Sequence, residues 1–310
     1  MTHQESLTKV IEEIREEYPG MLILENEPFS KHGSMRVGGP IRAIASPGDV
    51  FSLSKVCSFL KRNAIAPFIL GNGTNVVIPD EGLDLFMIKT EKLTKMWMQS
   101  DGSLYAEAGN SLARVSQFAQ SNGRAGLEFA SGIPGTLGGG ILMNAGAYGG
   151  EIKDVVRSVR VMDPDGTNLR TVSNEEMQFS YRHSMAEDEG NLILSAEMEL
   201  TPDDPEKIAE RVAELQFKRN SKQPVNYPSA GSTFKRPVGG YAAALIEQSG
   251  LKGYTVGGAQ VSEKHSGFVI NIGGASCEDV LAVMRHVRET VYSDSGIQLE
   301  PEVRLINCSL

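Results

Sequence analysis

The strongest constraint in this chain is glycine placed directly behind apolar runs. "PFIL" (67–70) reads as a buried strand, and "GNGTN" (71–75) follows it without a spacer. A second cluster, "SGIPGTLGGGILMNAGAYGG" (131–150), holds eight glycines in twenty residues and no charged side chain. Glycine tolerates positive φ and lacks a Cβ, so backbone in such loops can approach a neighbour closely. One cluster of this kind is as readily a tight turn as a site. Two in one half of a chain point to N–H groups converging on an anion, a pyrophosphate above all. Thr74, Asn75, Ser131, Thr136 and Asn144 are candidate side-chain donors to it. Neither cluster is a Walker A loop, since no Gly-Lys-Ser/Thr follows, and neither is G-x-G-x-x-G, whose third glycine would fall at Val76. The residues alone imply a nucleotide-type cofactor without saying which.

The surrounding pattern alternates strand and helix, as in mixed α/β proteins. Leu7, Val10, Ile11, Ile14 and Tyr18 form a helical stripe closed by Pro19-Gly20, and Asp49 caps a helix with Val50, Leu53, Val56 and Leu60 on one face. Strands are predicted at Ile41–Ala45, Leu83–Lys89 and Ser103–Ala108. A helix opens at Ser111 and stops at Asn122-Gly123. "DPDG" predicts a hairpin between Val155–Met162 and Asn168–Val172, with Leu192–Leu200 a further strand. A helix carrying Ile208, Val212 and Leu215 follows Pro205. Residues 218–232 read as a polar loop near a domain boundary. Beyond it come helices at Tyr241–Ser249 and Cys277–Tyr292, strands at Val256–Val261 and Phe268–Ile272, and an alternating strand at Ile297–Ile306.

Composition removes several classes of function. The net charge of −9 over 310 residues and the lack of a Lys/Arg block argue against nucleic acid or an anionic membrane as partner. The first twenty residues hold five glutamates and no apolar core, unlike a signal peptide, and no apolar run is long enough to span a bilayer. Cys57, Cys277 and Cys308 are isolated, and the five histidines lack ligand spacing, so neither a disulfide framework nor a metal site is expected. A cytoplasmic enzyme is the plain reading. His265 and the single tryptophan, Trp97, are read as structural.

Seven blocks in order, "SMRVGGP", "LGNGTNVVI", "GLEFASGIPGTLGGGILMNAGAYGGEI", "FSYRHS", "AGSTFKRP", "SGLKGYTVGGAQVSEKHSGFVIN" and "LEPEVRLI", give the chain a close resemblance to the UDP-N-acetylenolpyruvoylglucosamine reductases, in their shorter subtype, over about residues 30–306. The resemblance implies an NADPH-dependent flavoenzyme completing UDP-N-acetylmuramate for peptidoglycan. It implies a vanillyl-alcohol-oxidase-type FAD domain (about 38–201) of two α/β subdomains, 1–95 and 96–215, then a substrate domain at 216–298 and a C-terminal strand at 299–310 returning to the active site. Gly71, Asn72, Gly73, Thr74 and Asn75, with Gly132, Gly135, Thr136, Gly139 and Asn144, match the family's FAD loops. Thr74 stands where many members have serine, and Gly140 where many have alanine.

The same resemblance implies the catalytic set. Read alone, Ser232 is a turn serine, Arg182 an ion-paired surface arginine, and Glu300 and Glu302 are indistinguishable on one face of a strand. The family pattern assigns Ser232 as proton donor to C2 of the substrate, Arg182 as the donor beside the flavin, and Glu302, directly before Val-Arg, as the glutamate. Lys222 and Tyr148 match groups on the substrate diphosphate. Hydride would pass from NADPH through FAD N5 to C3 of the enol ether, leaving charge at C2 for Arg182 to meet and, when protonated, Glu302. Two rivals are a same-fold FAD oxidase of alcohols or sugars and a non-catalytic nucleotide-binding protein. "AGSTFK" with "EPEVR" opposes the first, and the joint presence of Arg182, Ser232 and Glu302 opposes the second.

Overall fold

The computed structural model describes residues 3–310 and divides by compactness into two units. One comprises the segments up to Glu25, Arg42–Asn72 and Leu85–Lys218; the other comprises Asn26–Ile41, Gly73–Asp84 and Arg219–Leu310.

A four-stranded sheet has the order Leu22–Pro28, Pro40–Ser46, Leu83–Lys89, Pro67–Leu70. Its last two strands are parallel, with Phe68 opposite Met87. The helix Val50–Arg62 starts where Asp49 accepts the Ser52 N–H at 2.7 Å and the Ser52 hydroxyl accepts the Asp49 N–H at 3.2 Å, a capping box. Its apolar stripe of Leu53, Val56, Cys57 and Leu60 is fully buried with Leu7, Ile11 and Ile14 of the helix His3–Glu17.

The second sheet is antiparallel, in the order Arg170–Ser173, Val156–Met162, Leu192–Met198, Leu104–Glu107, Met96–Met98. Its central strand is buried on both faces. Leu192 and Leu194 join the core just described, while Ile193, Ala196 and Met198 face another core built with the helices Leu112–Ser121 and Leu137–Leu142. A register shift between Arg160 and Val161 breaks the period of two at this point. Trp97 does pack, stacked on Tyr105 at 3.9 Å, but at the surface rather than inside.

The other unit has its own core around the helix Cys277–Ser295 and the sheet Thr255–Val256, Ala259–Val261, Val269–Asn271. The helix begins with a Ser276–Asp279 capping box. The Asp80 carboxylate adds a second cap, accepting the N–H groups of Cys277 (2.8 Å) and Glu278 (3.2 Å). The His265 ring lies edge-on to Phe268 at 5.0 Å, its Nδ1 accepts the Gly267 N–H, and burial lowers its pKa.

Four expectations need correction. The helix Pro205–Lys222 runs into the segment read as loop, which begins only at Gln223. Val256–Val261 is two strands, because Gly257, at φ 52°, turns the chain between them. Ile297–Ile306 is regular strand only at Arg304–Leu305, since Pro301 offers no N–H for a continuous ladder. Alternation of burial survives there without the strand: Leu299 and Val303 are buried, Glu300 and Arg304 exposed. The glycine segment 131–150 is not loop throughout but holds a helical turn and a hairpin.

Candidate active site

The glycine clusters meet within the first unit. A Cβ on Gly71 would overlap Thr136 Oγ1, with Thr136 Cγ2 at 3.2 Å and Cβ at 3.3 Å. Glycine is therefore required at 71 by the neighbouring cluster. Thr136 caps the helix Leu137–Leu142, its hydroxyl accepting the Gly139 N–H at 3.2 Å. "LGGGIL" is helical despite three glycines because Gly138 lets the turn sit on Ala108 and Gly140 lets it sit on Leu112. Gly139 is exposed, and a Cβ there would meet Thr136 Oγ1 at an ordinary 3.4 Å. The N–H groups of Leu137 and Gly138 donate to the carbonyls of Asn110 (2.8 Å) and Ala108 (2.9 Å). The helix start is thus already satisfied by the fold. In the second unit Gly73 has φ 62°, and a Cβ there would overlap the His32 carbonyl. Uncharged, Cβ-free loops of this kind fit a dinucleotide whose pyrophosphate is held by backbone dipoles.

Arg182 stands at the tip of a two-residue turn. Ser180 and His183 exchange both backbone hydrogen bonds (3.1 and 3.3 Å), and Arg182 has φ 57° while Tyr181 does not. This is the φ pattern of a type II turn, where glycine is usual. An arginine there costs roughly 1–2 kcal/mol. Its guanidinium lies 4.9 Å from the Tyr181 ring centroid. Tyr148 is presented the same way. Gly150 pairs with Ala147, so Tyr148 (φ 54°) and Gly149 (φ 88°) form a two-residue hairpin loop with both residues left-handed, the type I′ pattern. The Tyr148 ring is exposed. Non-glycine residues held in this region concentrate at functional sites, and three of the residues singled out in the sequence, Arg182, Tyr148 and Asn144, are among them.

Asn144, itself at φ 41°, is wholly buried. Its Nδ2 donates to Glu151 Oε2 (3.1 Å) and to the Ser180 carbonyl (3.0 Å), while Oδ1 accepts the Lys153 N–H (3.0 Å). The amide is engaged within the fold, so it offers a ligand no donor of the kind the sequence reading allowed. Glu151 also pairs with Lys153 at 2.8 Å, and its carboxyl is held below the usual range by Lys153 first, with Asn144 and the charge of Arg182 adding to the effect. The sequence places Glu151 at the end of the third family block but gives it no role of its own.

In the second unit, backbone pairing assembles another group. Pro301 bridges Phe234, the Glu302 N–H donates to the Thr233 carbonyl (2.9 Å) and the Lys235 N–H donates to the Glu300 carbonyl (2.8 Å). Ser232 thereby precedes Thr233, the residue whose carbonyl Glu302 meets. Thr233 is fixed from the other side, its N–H on the Gly267 carbonyl and its hydroxyl accepting the Val269 N–H. Arg304–Leu305 then runs parallel to Val76–Val77, and Asn75 Nδ2 donates to the Glu302 carbonyl at 3.1 Å. So Asn75, Thr233 and Glu302 share one scaffold, with Ser232 next in the chain to Thr233. Glu302 is half-buried and Glu300 exposed, a difference that strand period alone could not make. Lys222 is exposed at the last residue of its helix. Among the described residues no group of three or more His, Cys, Asp or Glu could hold a metal, and no helix is long and apolar enough to cross a membrane.

Two family models match the chain. "FAD binding domain" covers residues 41–172, spanning both glycine clusters, and "UDP-N-acetylenolpyruvoylglucosamine reductase, C-terminal domain" covers 223–306, spanning Ser232 and Glu302. A UDP-N-acetylenolpyruvoylglucosamine reductase of Caldanaerobacter subterraneus is 45% identical over 97% of this chain and 98% of its own. The protein of that name from Clostridioides difficile is 44% identical over 91% and 92%. The crystal structure of UDP-N-acetylenolpyruvylglucosamine reductase from Thermus caldophilus superimposes with a TM-score of 0.80 at 30% identity, covering 92% of this chain and 99% of that one.

Proposed function

The chain belongs to the UDP-N-acetylenolpyruvoylglucosamine reductase family, and from that membership we propose how its residues divide the reaction. It is an FAD-dependent oxidoreductase that reduces the enolpyruvyl ether of UDP-N-acetylglucosamine to UDP-N-acetylmuramate, a peptidoglycan precursor. NADPH is the electron source and the cytoplasm the place of action.

Gly71, Asn72, Gly73, Thr74 and Asn75, with Gly132, Gly135, Thr136 and Gly139, would hold the cofactor, while Asn144 supports the second loop from behind. When bound there, FAD supplies the relay of hydride between NADPH and C3 of the enol ether. The protein's own work is electrostatic and protonic. Charge that develops at C2 and its carboxylate needs donors already in place. Arg182 is the charged donor and Glu302 the second, when it carries a proton. Ser232 delivers a proton to C2, so that hydride at C3 and proton at C2 complete the saturation of the double bond. Tyr148 and Lys222 are assigned to the diphosphate, residues 216–298 to the sugar nucleotide, and residues 299–310 to returning Glu302 to the chemistry.

The observation that supports this reading is the pairing of Thr233–Lys235 with Glu300–Glu302, which joins the residue after Ser232 to Glu302, whose carbonyl also accepts from Asn75. Ser232→Ala tests it by stopped-flow. Reduction of bound flavin by NADPH is expected to survive, and reoxidation by the enolpyruvyl sugar nucleotide to fall at least ~10²-fold. Equal loss in both half-reactions would make Ser232 structural, and loss in neither would remove it from the mechanism.

A further inference from the structure

We propose that Asn144 is a positioning residue that sets the Arg182 turn and the Tyr148 hairpin from a single buried amide. Resting on the assignment of Arg182 above, the inference moves Asn144 out of the set of ligand contacts.

The geometry leaves the amide little else to do. One Nδ2 proton goes to the Ser180 carbonyl, the residue that opens the Arg182 turn. The other goes to Glu151, whose backbone pairs with Gly146 in the hairpin that carries Tyr148. Oδ1 takes the Lys153 N–H just beyond that hairpin. Three hydrogen bonds reach three separate residues, and no surface of Asn144 remains exposed. Both turns hold a non-glycine residue at positive φ, a conformation that persists only where surrounding contacts over-determine it. The far side of the Arg182 turn is tied as well: the Ser184 hydroxyl donates to the Leu142 carbonyl at 2.8 Å, and the Met185 N–H to the Met177 carbonyl at 2.8 Å. Asn144 is the tie on the near side. Asparagine suits the place because it tolerates left-handed backbone and supplies two donors and an acceptor in one plane. Aspartate offers the plane without both donors, and glycine offers the backbone without the amide.

The test uses the flavin-loaded full chain, with Asn144→Asp and Asn144→Gly each made in the wild-type and Arg182→Ala backgrounds. Flavin loading and melting temperature are measured first, then the two half-reactions. Flavin reoxidation by the enolpyruvyl sugar nucleotide is expected to slow by between ~10-fold and ~10²-fold, as for a misplaced catalytic group, with flavin retained. In the Arg182→Ala background the same substitutions are expected to change that rate by less than about threefold, because neighbours acting through one group are not additive. A full, additive loss in that background overturns the proposal and leaves Arg182 in its role. Loss of bound flavin in both Asn144 variants also overturns it, making Asn144 a requirement of the cofactor loop. An Arg182→Ala protein that reoxidises at the wild-type rate removes the assignment of Arg182 itself, and the inference falls with it.

Discussion

Gly71→Ala examines the contact on which the cofactor loops depend. The added methyl would overlap Thr136 Oγ1, and turning the threonine cannot clear it, since Cγ2 and Cβ of the same residue stand at 3.2 and 3.3 Å. Thr136 is buried, β-branched and committed to the Gly139 N–H, so its χ1 is stiff. Either the backbone moves or the cap is lost. Overpacking of this kind costs about 1–3 kcal/mol, and losing the cap about 1 kcal/mol. Either route predicts a loss of roughly 1–3 kcal/mol, or a fall in Tm of some 2–4 °C for each kcal/mol in a unit of this size. Thr136→Ala removes Oγ1 and Cγ2 at once. Alone it should cost about the cap, ~1 kcal/mol, and it should relieve most of the strain of Gly71→Ala when the two are combined. The assay is thermal and urea unfolding of the four proteins, with flavin content measured alongside. Coupling of at least ~1 kcal/mol between the substitutions is expected for groups in contact. Additive effects, or a Gly71→Ala protein as stable and as fully loaded as the parent, would refute the close approach as the reason for glycine.

Asp80→Ala removes the acceptor for two N–H groups at the start of the helix Cys277–Ser295 and should lower the urea midpoint by the equivalent of about 0.5–2 kcal/mol, with Asp80→Asn in between; an unchanged midpoint would show that water caps those groups equally well. Burial pushes the Cys57 thiol up to about 12 from its ordinary 9.0. The unfolded chain therefore ionises first, so stability is unaffected below about pH 9 and falls by about 1.4 kcal/mol per pH unit as pH climbs toward 12. Cys277 and Cys308, also raised by burial, add to the slope. Cys57→Ala should flatten it at some loss of packing stability at neutral pH, and an unchanged slope in unfolding scans across that range would contradict the burial.

Much of the fold was legible because its signals are local. Caps at Asp49 and Ser111, the helical stripe of Leu53, Val56 and Leu60, the apolar run at 67–70 and the DPDG turn each depend on a few adjacent residues. The strands Leu22–Pro28 and Met96–Met98 carry no legible period, since their burial is only partial. The site was legible by resemblance rather than by chemistry: Ser232 and Arg182 look ordinary in isolation, and period two could not separate Glu300 from Glu302.

By itself the sequence determined that two uncharged glycine clusters would press backbone against something, and that the functional blocks lie along one ordered chain. Tertiary structure decided what each block meets. Gly71 must lack a side chain because Thr136 occupies that space. Glu302 differs from Glu300 because its backbone joins Thr233 and Asn75. Arg182 and Tyr148 sit in left-handed turns because Asn144 ties both turns from within. Each of these is a contact between distant segments, and hydrogen bonds and excluded volume between such segments exist only once the chain has folded.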